Sequence, residues 1–200
     1  MPKQIDYFLS PASPYAYLGH ARFMQIVEQQ DAEVILKPFD MVKIFSLSGG
    51  VPVAQRAPQR QAYRLTELAR WRAQMKRPLN LHPKFFPAPG DPASKFLIAA
   101  QQAHGTQAAL QLAGALGQAV WADEKNIADP DTLAALAQSL GLDGQALVAA
   151  AQSDSVAADY ARHTDEAIAA DVFGVPWYRI AGENFWGQDR LDFVEQALKS

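Results

Sequence analysis

A chain of 200 residues with 49% hydrophobic content has the length for one domain, or one domain carrying a large insertion, and enough apolar material for a core. Its 18 basic and 21 acidic side chains give a net charge of −3, which leaves no electrostatic footprint for nucleic acid or an acidic membrane surface and makes small ligands the expected partners. The absence of cysteine excludes disulfides, thiolate zinc sites and cysteine nucleophiles together.

The first residues pass into a strand pattern without an apolar signal core, and no window approaches eighteen uncharged apolar residues, so a cytoplasmic protein is the expectation. Residues 5–9 read as a short buried strand. In the turn Ser10-Pro11-Ala12-Ser13-Pro14, Ser13 is the better helix cap and Pro14 suits the first helical position. From 15 to about 29, Leu18, Ala21, Phe23, Ile26 and Val27 recur at helical intervals, and Val34-Ile35-Leu36 follows as a second strand. Strand, helix and strand at this spacing predict a βαβ unit with a parallel pair.

After Asp40 the character changes. From about 58 to 171 the chain is rich in Ala, Gln and Leu, with a helix start at Asp129-Pro130 and stops near Gly105 and Gly141. One clear break, residues 82–92, carries prolines that forbid helix, and it is apolar enough to pack on something. The four histidines lack metal-ligand spacing, and neither a Gly-rich phosphate loop nor a Gly-x-Ser-x-Gly elbow appears.

Near the end, Gly174-Val175-Pro176 leads into the apolar run 177–181, the turn Gly182-Glu183-Asn184 reverses the chain into Phe185-Trp186, and Asp189 precedes Leu191, Val194 and Leu198 at helical spacing. Strand, strand and helix in that order resemble the closing unit of thioredoxin-like domains. The resemblance implies a cis bond at Val175-Pro176 and a neighbouring backbone open to pair with a thiol-bearing chain. The expected fold class is α/β: a thioredoxin-like domain, residues 1–42 and 155–200, split by an all-helical insertion over 43–154, with a cleft between them. Without cysteine such a domain cannot run dithiol redox chemistry, so any sulfur must arrive with a ligand, of which glutathione is the obvious candidate.

Four stretches together resemble the 2-hydroxychromene-2-carboxylate isomerase family, and the related kappa-class glutathione transferases share the arrangement. They are Ser13-Pro14-Tyr15-Ala16-Tyr17-Leu18-Gly19, Arg70-Trp71, Phe173-Gly174-Val175-Pro176, and Phe185-Trp186-Gly187-Gln188-Asp189-Arg190-Leu191. The likeness runs over nearly the whole chain. It implies a homodimeric, glutathione-dependent cis-trans isomerase of an aromatic oxoacid. Ser13 would hold glutathione as thiolate, the Val175 backbone would pair with its cysteinyl part, and Trp186, Gly187, Gln188 and Asp189 would receive its γ-glutamyl end. An acidic substrate needs a cation: Arg60 matches a family position often occupied by Lys, Arg64 shares its helical face, and Lys43 is a second candidate. Phe85 and Phe86, with Trp177 and Tyr17, are candidate walls for an aromatic substrate. Two departures bear on specificity: Trp177 follows the proline where the better-known isomerases have a small Thr, and Phe85-Phe86 replaces a polar pair.

Each of these residues also has a structural role open to it. Ser13 can simply cap its helix, Asp189 can be an N-cap with Asp192 at the third helical position, the arginines can form a solvated face, and the aromatics can be core. Two rival functions fit the same pattern. One is a kappa-type glutathione transferase, and the other is a non-catalytic thioredoxin-like protein whose groove binds peptides or chaperone partners.

Overall fold

Period-two alternation in β1 (Gln4–Leu9) sends Ile5, Tyr7 and Leu9 to one side of the sheet and Phe8 to the other, and each side carries its own hydrophobic cluster. The computed structural model describes residues 3–199. Its sheet has the order β2-β1-β3-β4, with β2 (Glu33–Pro38) parallel to β1, and β3 (Trp177–Ile180) and β4 (Glu183–Trp186) antiparallel. A parallel pair needs a crossover, and α1 (Pro14–Gln29) supplies it, completing the expected βαβ unit.

On the Tyr7 side, Tyr178 of β3 stacks at 5.1 Å and Phe23 of α1 closes on both rings, while Leu191, Val194 and Leu198 of the last helix (Leu191–Lys199) complete the layer. On the Phe8 side, Phe39 and Trp177 meet Ile44 of α2 (Met41–Ser48) and Ala167 of a helix spanning Asp154–Ala169. Buried Lys37 lies 2.9 Å from Asp6 and 2.7 Å from Glu166, which ties that helix to the sheet.

Between β2 and β3 the chain is helical: α2, α3 (Pro58–Gln74), α4 (Asp91–Trp121), α5 (Pro130–Ser139), α6 (Gly144–Ala150) and α7 (Asp154–Ala169), with α8 (Leu191–Lys199) closing the chain. Asp129 caps α5 through the Thr132 amide at 3.1 Å with Pro130 at its first turn, and α4 breaks at Gly105, where φ is +83°. The Ala-, Gln- and Leu-rich composition begins near 58, but helix begins earlier, with α2, whose signal is Asp40 accepting from the Lys43 amide at 2.9 Å. The Pro-rich break 82–92 is free of helix until Asp91 and packs Phe86 onto Trp121 at 4.7 Å.

The closing hairpin differs from expectation by two residues. Ala181 and Gly182, at φ of +49° and +89°, make the turn, so Glu183 and Asn184 belong to β4. A two-residue turn with both φ positive matches the twist of the flanking strands, which offsets the cost of about 1–2 kcal/mol for alanine in the left-handed region. Among the described residues no helix is long and apolar enough to cross a membrane.

Candidate functional site at the start of the first helix

Ser13 stands at the N-cap of α1 in extended conformation, forced out of helix by the proline that follows. Its Oγ accepts from the Ala16 amide at 3.2 Å and donates toward the Val175 carbonyl at 3.5 Å, the long end of hydrogen-bond range. The capping role and the proposed site role therefore fall on one oxygen. Pro14 has no amide hydrogen, Tyr17 donates to the Ser13 carbonyl at 3.1 Å, and the Tyr15 amide meets no acceptor among the described residues. The first turn carries no acidic side chain. The positive end of a sixteen-residue helix is thus left open at Ser13, an arrangement that suits an anion.

Across from Ser13, the peptide bond Val175–Pro176 is cis, as is Phe86–Pro87. Val175 is half-buried, and its amide also lacks an acceptor among the described residues. The Pro176 carbonyl accepts from the Gly187 amide at 2.9 Å, which holds segment 186–189 beside the loop. Trp186 is 52% exposed and lies against Gly174, where an added Cβ would meet its Nε1 at 2.6 Å; Phe173 meets the same indole edge-on at 4.7 Å. Gly187 has φ of +100°, a conformation that excludes other residues without strain.

The remaining γ-glutamyl candidates behave differently from one another. Gln188 is 1% exposed, and its side chain packs onto α1 at Gly19, where an added Cβ would lie 2.5 Å from the Gln188 Cβ. Asp189 is exposed in a short 3-10 turn, Gln188–Arg190, ahead of α8. Its carboxylate accepts from Arg190 at 2.8 Å and bonds no amide of α8 among the described residues, so it is not the N-cap of that helix.

The substrate-side candidates are dispersed. Lys43 is exposed on α2 and pairs with Asp165 at 3.3 Å, and no contact joins it to Ser13 among the described residues. Arg60 is exposed on α3. Phe85 is half-buried beneath the Lys84 ammonium, 5.1 Å away, whereas Phe86 packs inward on Trp121. Trp177 is 4% exposed in the cluster shared with α2 and α7, its indole N–H donating to Asn184 at 3.2 Å, so here it serves as core.

Two residues that the sequence reading did not place at the centre come together instead. Arg64, one turn beyond Arg60, is 9% exposed, and it interacts electrostatically with Tyr15 of α1. Burial is the main cause that raises the Tyr15 phenol above its ordinary value; Arg64 opposes the rise, Glu67 and Asp189 add to it, and Arg56 opposes it. Tyr15 thus stands among α3 and the 188–190 turn, two residues from Ser13. Helical spacing put Arg60 and Arg64 on one face; which of them is buried depends on Phe86 and Trp121, which come from distant parts of the chain.

The fold is matched by the family model described as a DSBA-like thioredoxin domain over residues 4–199, and the chain belongs to that family. Within it, the chain is 26% identical over 199 residues to a 2-hydroxychromene-2-carboxylate isomerase of Sphingobium xenophagum, covering 99% of each protein. A solved 2-hydroxychromene-2-carboxylate isomerase superposes with a TM-score of 0.79 at 22% identity, covering 98% of this chain and 94% of that one. The cytosolic disulfide reductase DsbM of Pseudomonas aeruginosa, solved with GSH, superposes with a TM-score of 0.70 at 16% identity, covering 98% and 100%.

Proposed function

We propose that the protein is a glutathione-dependent cis-trans isomerase of 2-hydroxychromene-2-carboxylate or a related aromatic oxoacid. The observation that carries this reading is the end-to-end likeness to the Sphingobium xenophagum isomerase, in a chain that has no cysteine of its own. The open N-terminus of α1 at Ser13 supports it, because a borrowed thiol needs just such an environment to ionise.

In this reading the Val175 amide and carbonyl pair with the cysteinyl residue of glutathione, in the manner of strand addition, and place its sulfur at Ser13. Segment 186–189 receives the γ-glutamyl end. A free thiol has a pKa of about 8.5; a helix end worth up to about 2 kcal/mol and a charge-assisted hydrogen bond of about 1.5–3 kcal/mol suffice to lower it by one or two units at about 1.36 kcal/mol each. The chromene hemiketal opens, and the thiolate adds to the conjugated carbon, forming a C–S bond as the electron pair moves to the carbonyl oxygen. Rotation follows about the bond that is now single. The pair then returns, the C–S bond breaks, and glutathione leaves unchanged. As part of the same proposal, the enzyme works in the cytoplasm as a homodimer.

Incubation with glutathione and 2-hydroxychromene-2-carboxylate tests the reading. A change in substrate absorbance with the thiol count unchanged is expected. Stoichiometric loss of thiol would instead mark a transferase of kappa type, and no reaction, combined with no thermal shift at millimolar glutathione, would mark a non-catalytic binding protein.

A further inference from the structure

We propose that Arg64 is an anion receptor beside the first turn of α1 and binds the planar carboxylate of an aromatic or conjugated acid; the assignment rests on reading that end of α1 as the substrate site. Arg64 is 9% exposed, yet it forms no ion pair and no hydrogen bond among the described residues. Its guanidinium lies over Phe86 at 5.2 Å and over Trp121 at 5.7 Å, so two aromatic faces hold it in place. Of the neighbouring cations, Arg70 donates to Glu67 at 2.7 Å, Arg72 to the Leu79 carbonyl at 3.1 Å and Arg56 to the Val51 carbonyl at 2.7 Å, whereas Arg60 is exposed to solvent and has no aromatic face to hold it among the described residues. The nearby acids are engaged too, Glu67 by Arg70 and Asp189 by Arg190.

A guanidinium keeps its charge even when most of its side chain is covered, and no acidic side chain among the described residues balances that of Arg64. The missing counterion is best supplied by a ligand. Tyr15 adds a second indication: its phenol interacts with Arg64 and makes no hydrogen bond among the described residues, so its O–H is available to donate. Tyr15 is in the first turn of α1, whose cap is Ser13, so the Arg64–Tyr15 pair belongs to the same end of that helix as the proposed thiolate site. The flat guanidinium fork matches a carboxylate bidentately, and the ring of Phe86 favours a flat, unsaturated body behind it.

The test is calorimetric titration of the intact protein with salicylate and with its neutral methyl ester. The wild type is expected to bind salicylate about tenfold or more tightly than the ester, as one charge-assisted pair allows. Arg64→Met should abolish that preference, and Arg64→Lys, which keeps charge without the fork, should weaken it. The thermal shift produced by glutathione should stay as in the wild type. Equal binding of acid and ester by the wild type overturns the assignment without touching the glutathione reading, and so does full salicylate affinity in either variant. Retained salicylate preference with no glutathione shift would support Arg64 as the receptor while removing glutathione from the account.

Discussion

The Ser13 hydroxyl bridges two main chains: it accepts from the Ala16 amide at 3.2 Å and reaches the Val175 carbonyl at 3.5 Å. One short side chain therefore joins the start of α1 to the loop that opens β3, and the proposed chemistry sits where they meet. A ligand thiolate at this point would accept the hydroxyl hydrogen bond now directed at Val175, leaving the Ala16 cap intact.

Ser13→Ala should therefore lower stability and activity by different amounts. Loss of an N-cap costs about 1 kcal/mol, within a range of about 0.5–2, and should appear as a modest fall in the urea midpoint. Loss of a charge-assisted donor to the thiolate should lower the isomerisation rate about tenfold to a hundredfold. Full activity in a slightly destabilised variant would reduce Ser13 to a cap.

Gly19→Ala tests whether the 188–190 turn is pressed onto α1. In an open helix this change stabilises by about 0.5–1 kcal/mol. Here the new methyl would lie 2.5 Å from the Gln188 Cβ and 3.4 Å from its Cα, so the turn must shift. Destabilisation of about 1–3 kcal/mol is expected, together with weaker glutathione binding. A gain in thermal stability would mean that the two segments have room between them.

His20, on α1 against α4, carries a pH dependence unrelated to the chemistry. Its pKa is lowered to about 4, first by burial, with Arg77 adding to the fall and a bond to the Leu110 backbone opposing it. A base with a depressed pKa binds fewer protons folded than unfolded, so its contribution is complete above about pH 6.5 and is lost as pH falls toward 4. The loss is on the order of 3 kcal/mol. Urea midpoints at about pH 7 and about pH 4.5 should converge more in His20→Gln than in the wild type; an unchanged difference would locate the acid sensitivity elsewhere.

The sequence carries the sheet and its first crossover almost completely, because local signals coincide there: period-two alternation in β1, the Ser13-Pro14 cap and the periodicity of α1. The hairpin was legible in kind but not in register, since Ala181 occupies a conformation that composition does not announce. The substrate side was the least legible. Arg60 and Arg64 look alike on a helical wheel, and only the packing of Phe86 and Trp121, from the loop after α3 and the end of α4, buries one and leaves the other in solvent. Trp177 shows the same limit: its sequence position follows the cis proline, but strand alternation turns its ring into the cluster with Phe8.

The central claim is that this protein holds glutathione as a thiolate at Ser13, and the direct measurement is a pH titration of the ultraviolet thiolate absorbance of bound glutathione. The account predicts a midpoint about one to two units below the free-thiol value of about 8.5, returning toward that value in Ser13→Ala. A midpoint at the free-thiol value in the wild type, with binding shown by the thermal shift, would contradict it.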